Sequence, residues 1–208
     1  NRLVSSTPPL RVASIDLSTG AAPGHDRLKR LAIHVADYMG MTTSELRRRA
    51  RPLRLRPTIA IRASDDARVE ACHRRVNGTC YSQMKTAPEF VAVGVDDDTY
   101  DNEYFVELLL CFELELRPPP PPAPQDVTVL QLCYLDYLQY AEEAERTEVF
   151  QAFEYADDPN LSTSNRWRKV HALSDVITRV HITPLMTWDE ADFDAERLYH
   201  NTDMYVHV

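Results

Sequence analysis

The stretch YFVELLLCFELEL, residues 104–116, decides between helix and sheet for this chain. Tyr104, Val106, Leu108, Leu110, Phe112, Leu114 and Leu116 recur at every second position, with Glu107, Glu113 and Glu115 between them. A two-residue period belongs to a strand, whose successive side chains point to opposite faces. The spacing therefore predicts a strand over 104–116 with an apolar face turned to the core and an acidic face turned outward.

The neighbouring segments extend that reading. Phe90 to Val95 is a strand candidate closed by the acidic turn Asp96-Asp97-Asp98. Pro118 to Pro122, with Pro124, has no N–H to give to a ladder and reads as an exposed polyproline connector, a stiff hairpin loop rather than an SH3-type ligand. Asp126 to Tyr140 is apolar on both faces, which predicts a buried strand, with a helix as the alternative at its end. Glu148 to Tyr155, Arg168 to Leu173, Val176 to Ile182 and Asp203 to Val208 complete the strands. A loop at Asp157 to Asn165 and a short acidic helix at Asp189 to Tyr199 lie between them. Many strands in succession with few helices predict a small antiparallel barrel or curled sheet.

The first part of the chain differs. Asn1 to Gly24, with three prolines, reads as an extended arm. Leu28, Leu31, Ala32, Val35, Ala36 and Met39 have helical spacing, which predicts a helix over His25 to Met39 capped by Asp26 and ended by Gly40. A second helix, capped at Thr42, Thr43 or Ser44, runs to about Ala50, where Pro52 stops it. An arginine-rich segment leads into a strand at Thr58 to Ile61. The expected class is α+β: an extended arm and basic helical segment over 1–85, then an acidic antiparallel β domain over 86–208.

Charge divides at the same place. Residues 1–85 hold 16 Lys and Arg against 7 acids, whereas the remainder holds 7 against 25, within a net charge of −9. Two lobes of opposite sign attract each other, or each meets an oppositely charged partner. The acidic total disfavours a chain that binds nucleic acid over its whole surface. The longest apolar run, Leu108 to Phe112, is far too short to cross a bilayer, and no membrane partner is expected. An intracellular, nuclear setting is the favoured expectation.

No residue pattern points to catalysis. There is no phosphate-binding glycine loop, no nucleophile elbow and no His-Glu-x-x-His helix. Cys72 and Cys80 are spaced too widely for an ordinary zinc pair, and Cys111 and Cys133 sit in apolar runs as buried thiols. His171 and His181 read as packed or edge histidines. Asp96 to Asp98 with Asp101 lacks the glycine and closing glutamate of a calcium loop. Neither catalytic residues nor a cofactor nor a metal is expected. Tyr134, Tyr137, Tyr140, Phe153 and Tyr155 suggest a methyl-lysine cage, though core and edge packing explains them more simply.

Two resemblances remain. Leu31 to Arg49, LAIHVADYMGMTTSELRRR, resembles a helix-turn-helix of transcription-factor type, with Ala36 at the helix contact and Gly40 in the turn. That resemblance implies DNA as the alternative partner, with Thr42, Thr43, Ser44 and Arg47 toward bases and Arg48, Arg49 and Arg51 toward phosphates. The second runs from Asn77-Gly78 and Tyr81 through Phe90 to Asp97, Tyr104 to Leu114 and Asp126 to Leu130. It closes with Val170 to Leu185 and Tyr199 to Asp203. This pattern resembles the C-terminal region of proteins encoded by basidiomycete transposable elements, which is similar in strand order to bromo-adjacent-homology barrels. The resemblance implies a non-enzymatic accessory module of a transposon-derived protein that binds protein or chromatin.

Overall fold

The computed structural model describes residues 13–19, 26–56, 58–62, 73–77, 80, 89–97, 100–118, 127–140, 151–158, 166–184 and 204–207. In chain order the elements are β1 (Ser14–Ile15), α1 (Leu31–Tyr38), α2 (Thr43–Arg49), β2 (Leu53–Arg56), β3 (Thr58–Arg62), β4 (His73–Asn77), β5 (Phe90–Asp97) and β6 (Tyr100–Leu116). Then follow β7 (Thr128–Tyr140), β8 (Gln151–Tyr155), β9 (Arg168–Ala172), β10 (Val176–Val180), β11 (Ile182–Pro184) and β12 (Met204–His207). Short 3-10 turns lie at Asp26–Leu28 and Leu173–Asp175. The chain is thus mixed helix and strand, with two α-helices among the described residues. The acidic helix expected at 189–199, the prolines at 119–124 and most of the loop at 157–165 lie outside the described residues.

β6 and β7 pair with each other in antiparallel fashion and organise a ten-stranded sheet. Each is long enough to take two partners on its outer flank. β6 pairs with β5 along its first half and with β2 along its second, while β7 pairs with β9 and then β8. β10 pairs with β5, so the sheet runs β10-β5-β6-β7-β9, and its two end strands are joined by the single 3-10 turn Leu173–Asp175. The sheet curls but is not closed. β3 and β4 form a separate two-stranded sheet.

The alternation of 104–116 does not hold along one face. Leu108 pairs with Leu135 and Leu110 with Tyr134, leaving Leu109 as an extra residue in a β-bulge. The bulge switches the parity of the strand. Val106, Leu108 and Cys111 pack with Val91, Val93, Cys133, Leu135 and Tyr137 inside the curl. Leu109, Leu110, Phe112, Leu114 and Leu116 pack on the other face against Leu28, Leu31, Val35 and Leu46. Glu113 and Glu115 remain near the surface, as the spacing predicts. Glu107 precedes the bulge and is fully buried, so the expectation that it faces outward is corrected.

The helices depart from expectation at their start. His25 to Met39 is not one helix; a 3-10 turn at Asp26–Leu28 precedes α1, whose N-cap is Arg30 with no side-chain cap, so Asp26 does not cap it. The end is as expected. Gly40 takes φ +61°, and the N–H groups of Gly40 and Met41 return to the carbonyls of Asp37 and Ala36, a hydrogen-bonded stop that suits glycine. Thr42 caps α2 by accepting from the N–H of Glu45 at 3.1 Å. The helix possible at the end of Asp126–Tyr140 is absent, since β7 runs to Tyr140.

The arginine-rich segment ends in β2, whose sequence LRLR buries Leu53 and Leu55 and exposes Arg54 and Arg56. Those arginines reach across to the outward acids of β6: Arg56 to Glu113 at 2.6 Å, Arg54 to Glu115 at 3.7 Å, with Arg51 to Glu115 at 3.1 Å. Three arginines of the basic half are thus paired with two glutamates of the acidic half inside one chain, and β1 and β2 share a sheet with β6.

Candidate functional site

α1 lies along β9, and between them opens a cleft of about 480 Å³. Its helix wall carries Arg30, Ile33, His34, Asp37 and Tyr38, and the strand side carries every residue from Trp167 to His171. Ile33 and Tyr38 are both 41% exposed, unusual for large apolar side chains on a helix so close to a sheet.

Consecutive residues of one strand can all line a cleft only if the cleft follows the strand's edge. β9 pairs with β7 on one side and with no other described strand. The carbonyl of Trp167 accepts from the N–H of Tyr137 at 2.9 Å, which fixes the phase of the ladder. Antiparallel bonding alternates, so Lys169 and His171 turn their backbone groups to β7, and Arg168, Val170 and Ala172 turn theirs outward. An unpaired strand edge of this kind accepts a further extended segment.

The inner face of β9 adds an aromatic corner. Trp167 stands 4.4 Å from Tyr137 and 6.3 Å from Tyr104, at 87° to the latter; Tyr104 and Tyr137 are 5.6 Å apart. The ammonium of Lys169 sits 4.6 Å from the Trp167 centroid. Tyr137 is bonded to His171 Nε2 at 2.6 Å, and His171 Nδ1 faces Asp175 at 3.5 Å. With the imidazole proton on Nδ1 toward Asp175, the phenol donates to Nε2. Burial pushes the Tyr137 phenol up and His171 down, so the relay holds a neutral hydroxyl rather than activating one.

On the opposite face, a second polar group is sealed in. Glu107 and Asp136 are register partners across β6 and β7, both fully buried. Arg27 and the Tyr155 hydroxyl both donate to Glu107; Arg168 Nε donates to Asp136 at 2.9 Å and its Nη1 to the Arg27 carbonyl at 3.1 Å. Burial raises the Asp136 carboxyl, and Arg168 opposes the shift. Paired charges between apolar clusters join four separate parts of the chain. Among the described residues no three His, Cys, Asp or Glu side chains converge at metal-binding distance.

The residues singled out from sequence are distributed otherwise. Ser44, Arg47, Arg48 and Arg51 are exposed and Thr43 and Arg49 half-buried. Arg49 bonds to Glu45 and to the Arg117 carbonyl, and Arg51 to Glu115, leaving Arg47 and Arg48 without an ion pair among the described residues. Of the five aromatics proposed together, Tyr134 faces α1 by stacking on His34, and Tyr137 faces inside the curl. Tyr140 and Phe153 pair with each other, and Tyr155 serves Glu107. They form no single cage. Sequence reading missed Tyr104, Trp167 and Lys169 as a group, and missed that β9 is an edge.

No protein-family model, curated protein or solved structure matches the chain.

Proposed function

We propose that the chain is a non-enzymatic interaction module that binds an extended segment of a protein partner along the outer edge of β9. The observation that carries this reading is the coincidence of a strand edge unpaired among the described residues, an open cleft and exposed apolar side chains at one place. A likeness to bromo-adjacent-homology barrels, and with it a chromatin-associated partner of a transposon-derived protein, is inferred from the sequence pattern alone. The non-enzymatic reading is supported by titratable groups that are tied to partners or held neutral by burial. A basic segment suits a net charge of −9 and the carboxylates of Asp37 and Asp158 in the cleft.

Fluorescence anisotropy of a short lysine, alanine and threonine peptide tests the reading. Ala172 has φ −64°, which proline adopts without strain, and its N–H points outward. Ala172→Pro removes that donor while sparing the bonds to β7, so it should abolish peptide binding with little change in Tm. Unchanged binding by the variant contradicts the edge.

A second reading, DNA binding by α2, has one observation in its favour: Arg47 and Arg48 are exposed and without ion pairs among the described residues. It predicts retention on duplex DNA that falls steeply with salt.

A further inference from the structure

We propose that His34 makes the cleft acid-sensitive, so that a basic segment is held while the imidazole is neutral and released when the imidazole is protonated. This rests on the binding reading above and adds the regulation of that same site.

His34 stands in the middle of the helix wall, one turn from Arg30 and one turn from Tyr38, both of which also line the cleft. Its ring stacks on Tyr134 of β7, with centroids 5.5 Å apart and 37° between the planes. Tyr134 is fully buried, so the sheet fixes where the imidazole sits. The ring itself is only half-buried and borders the space that a segment on the β9 edge fills.

Charged groups reach His34 from each side. Arg30 and Asp37 come from α1 itself, Arg168 from β9 and Asp158 from the chain after β8, while the Tyr134 phenol of β7 is kept neutral by burial. Burial is the largest influence on the imidazole and opposes its charge; the two arginines add to it, the two aspartates work against it, and the balance lies below the ordinary value of 6.5. The ring is therefore neutral at about pH 7 and gains charge on mild acidification. A bound segment acts against the charged form twice. It strips the remaining water from the ring, and its lysines compete for Asp37 and Asp158, the acids that support an imidazolium. Proton and segment thus exclude one another. The bound chain holds fewer protons than the free one, so affinity is full above the His34 pKa of the free chain and is lost as pH falls through it. His171 also lines the cleft, with Lys169 beside it, but Tyr137 and Asp175 face both its ring nitrogens, which makes it the control rather than the gate.

The probe is the lysine, alanine and threonine peptide, capped at both ends and labelled with a rhodamine, so that nothing on it titrates between about pH 5 and 8. Anisotropy at constant ionic strength should give wild type a Kd about three- to tenfold weaker at pH 5.5 than at pH 7.5, since one proton changes affinity by at most tenfold per pH unit. Circular dichroism at each pH separates loss of binding from loss of fold. In His34→Gln the ratio of the two Kd values should fall close to one, whatever the affinity at pH 7.5, and His171→Gln should keep most of the wild-type ratio. The ring resonances of His34 should titrate at lower pH with peptide than without. Equal Kd at both pH values, or the full wild-type ratio in His34→Gln, overturns the gate and leaves the β9 edge standing. Absence of wild-type binding at pH 7.5 overturns the binding reading and the gate with it.

Discussion

Glu107 and Asp136 face each other across β6 and β7, each fully buried and each answered by an arginine from elsewhere in the chain, Arg27 and Arg168. Two carboxylates side by side in an apolar setting repel and lose hydration, so each requires its partner. Removing one partner leaves a buried charge uncompensated and costs about 3–5 kcal/mol, whereas removing both members of a pair costs much less. Arg168→Met should therefore lower the urea midpoint strongly, and Asp136→Leu with Arg168→Met should restore most of it. Additive losses would show that the pair is not a unit.

His34 and His171 line the same cleft, and burial lowers both below the ordinary value of 6.5. Arg30 and Arg168 add to the effect at His34 while Asp37 and Asp158 oppose it; Lys169 adds to it at His171 while Asp175 opposes. The folded state thus binds fewer protons than the unfolded one below about pH 6.5, and stability rises with pH through that window. Tm should fall as pH is lowered from about 7.5 toward 5.5, and His34→Gln should flatten the slope. A Tm that rises on acidification would mean the histidines are charged in the fold.

Cys111 and Cys133 are register partners on the inner face, buried and unbonded. Burial pushes the Cys111 thiol up to about 12 and Cys133 well above its ordinary range, and Cys80 is likewise buried with its thiol raised to about 12. A thiol reacts as its thiolate, so these three should resist a disulfide reagent until the chain unfolds. Mass spectrometry of modified peptides checks this, and fast labelling of Cys133 in buffer would contradict the buried pairing.

The period-two pattern, the hairpin returning from β6 to β7 and the helical segment with its Gly40 stop were legible in the sequence, because each rests on local periodicity or backbone preference. The bulge at Leu109 was not legible, since its residues are all apolar and an extra leucine leaves no mark in composition. Glu107 was misplaced for that reason alone. The LRLR of β2 was hidden behind its arginines, which read as a charge patch although Leu53 and Leu55 alternate with them. Parity could have separated Tyr134 from Tyr137, three positions apart on one strand. It could not have joined Trp167 to Tyr104, whose proximity depends on which strands pair.

The exposed pair Arg47 and Arg48 separates the two functional readings. Arg47→Ala with Arg48→Ala should leave Tm nearly unchanged, because neither side chain has an ion pair among the described residues, and should leave peptide binding unchanged. Loss of retention on duplex DNA in this variant, where the wild type is retained at physiological salt, would move the function to α2.

Amide hydrogen exchange along β9 tests the central claim most directly. In the free chain the N–H groups of Lys169 and His171, bonded to β7, should exchange slowly, and those of Arg168, Val170 and Ala172 quickly. Addition of the lysine, alanine and threonine peptide should slow the second set, because each gains a backbone acceptor from the added strand. Exchange along β9 that is the same with and without peptide, or protection that arises at Thr43–Arg49 instead, would contradict the account.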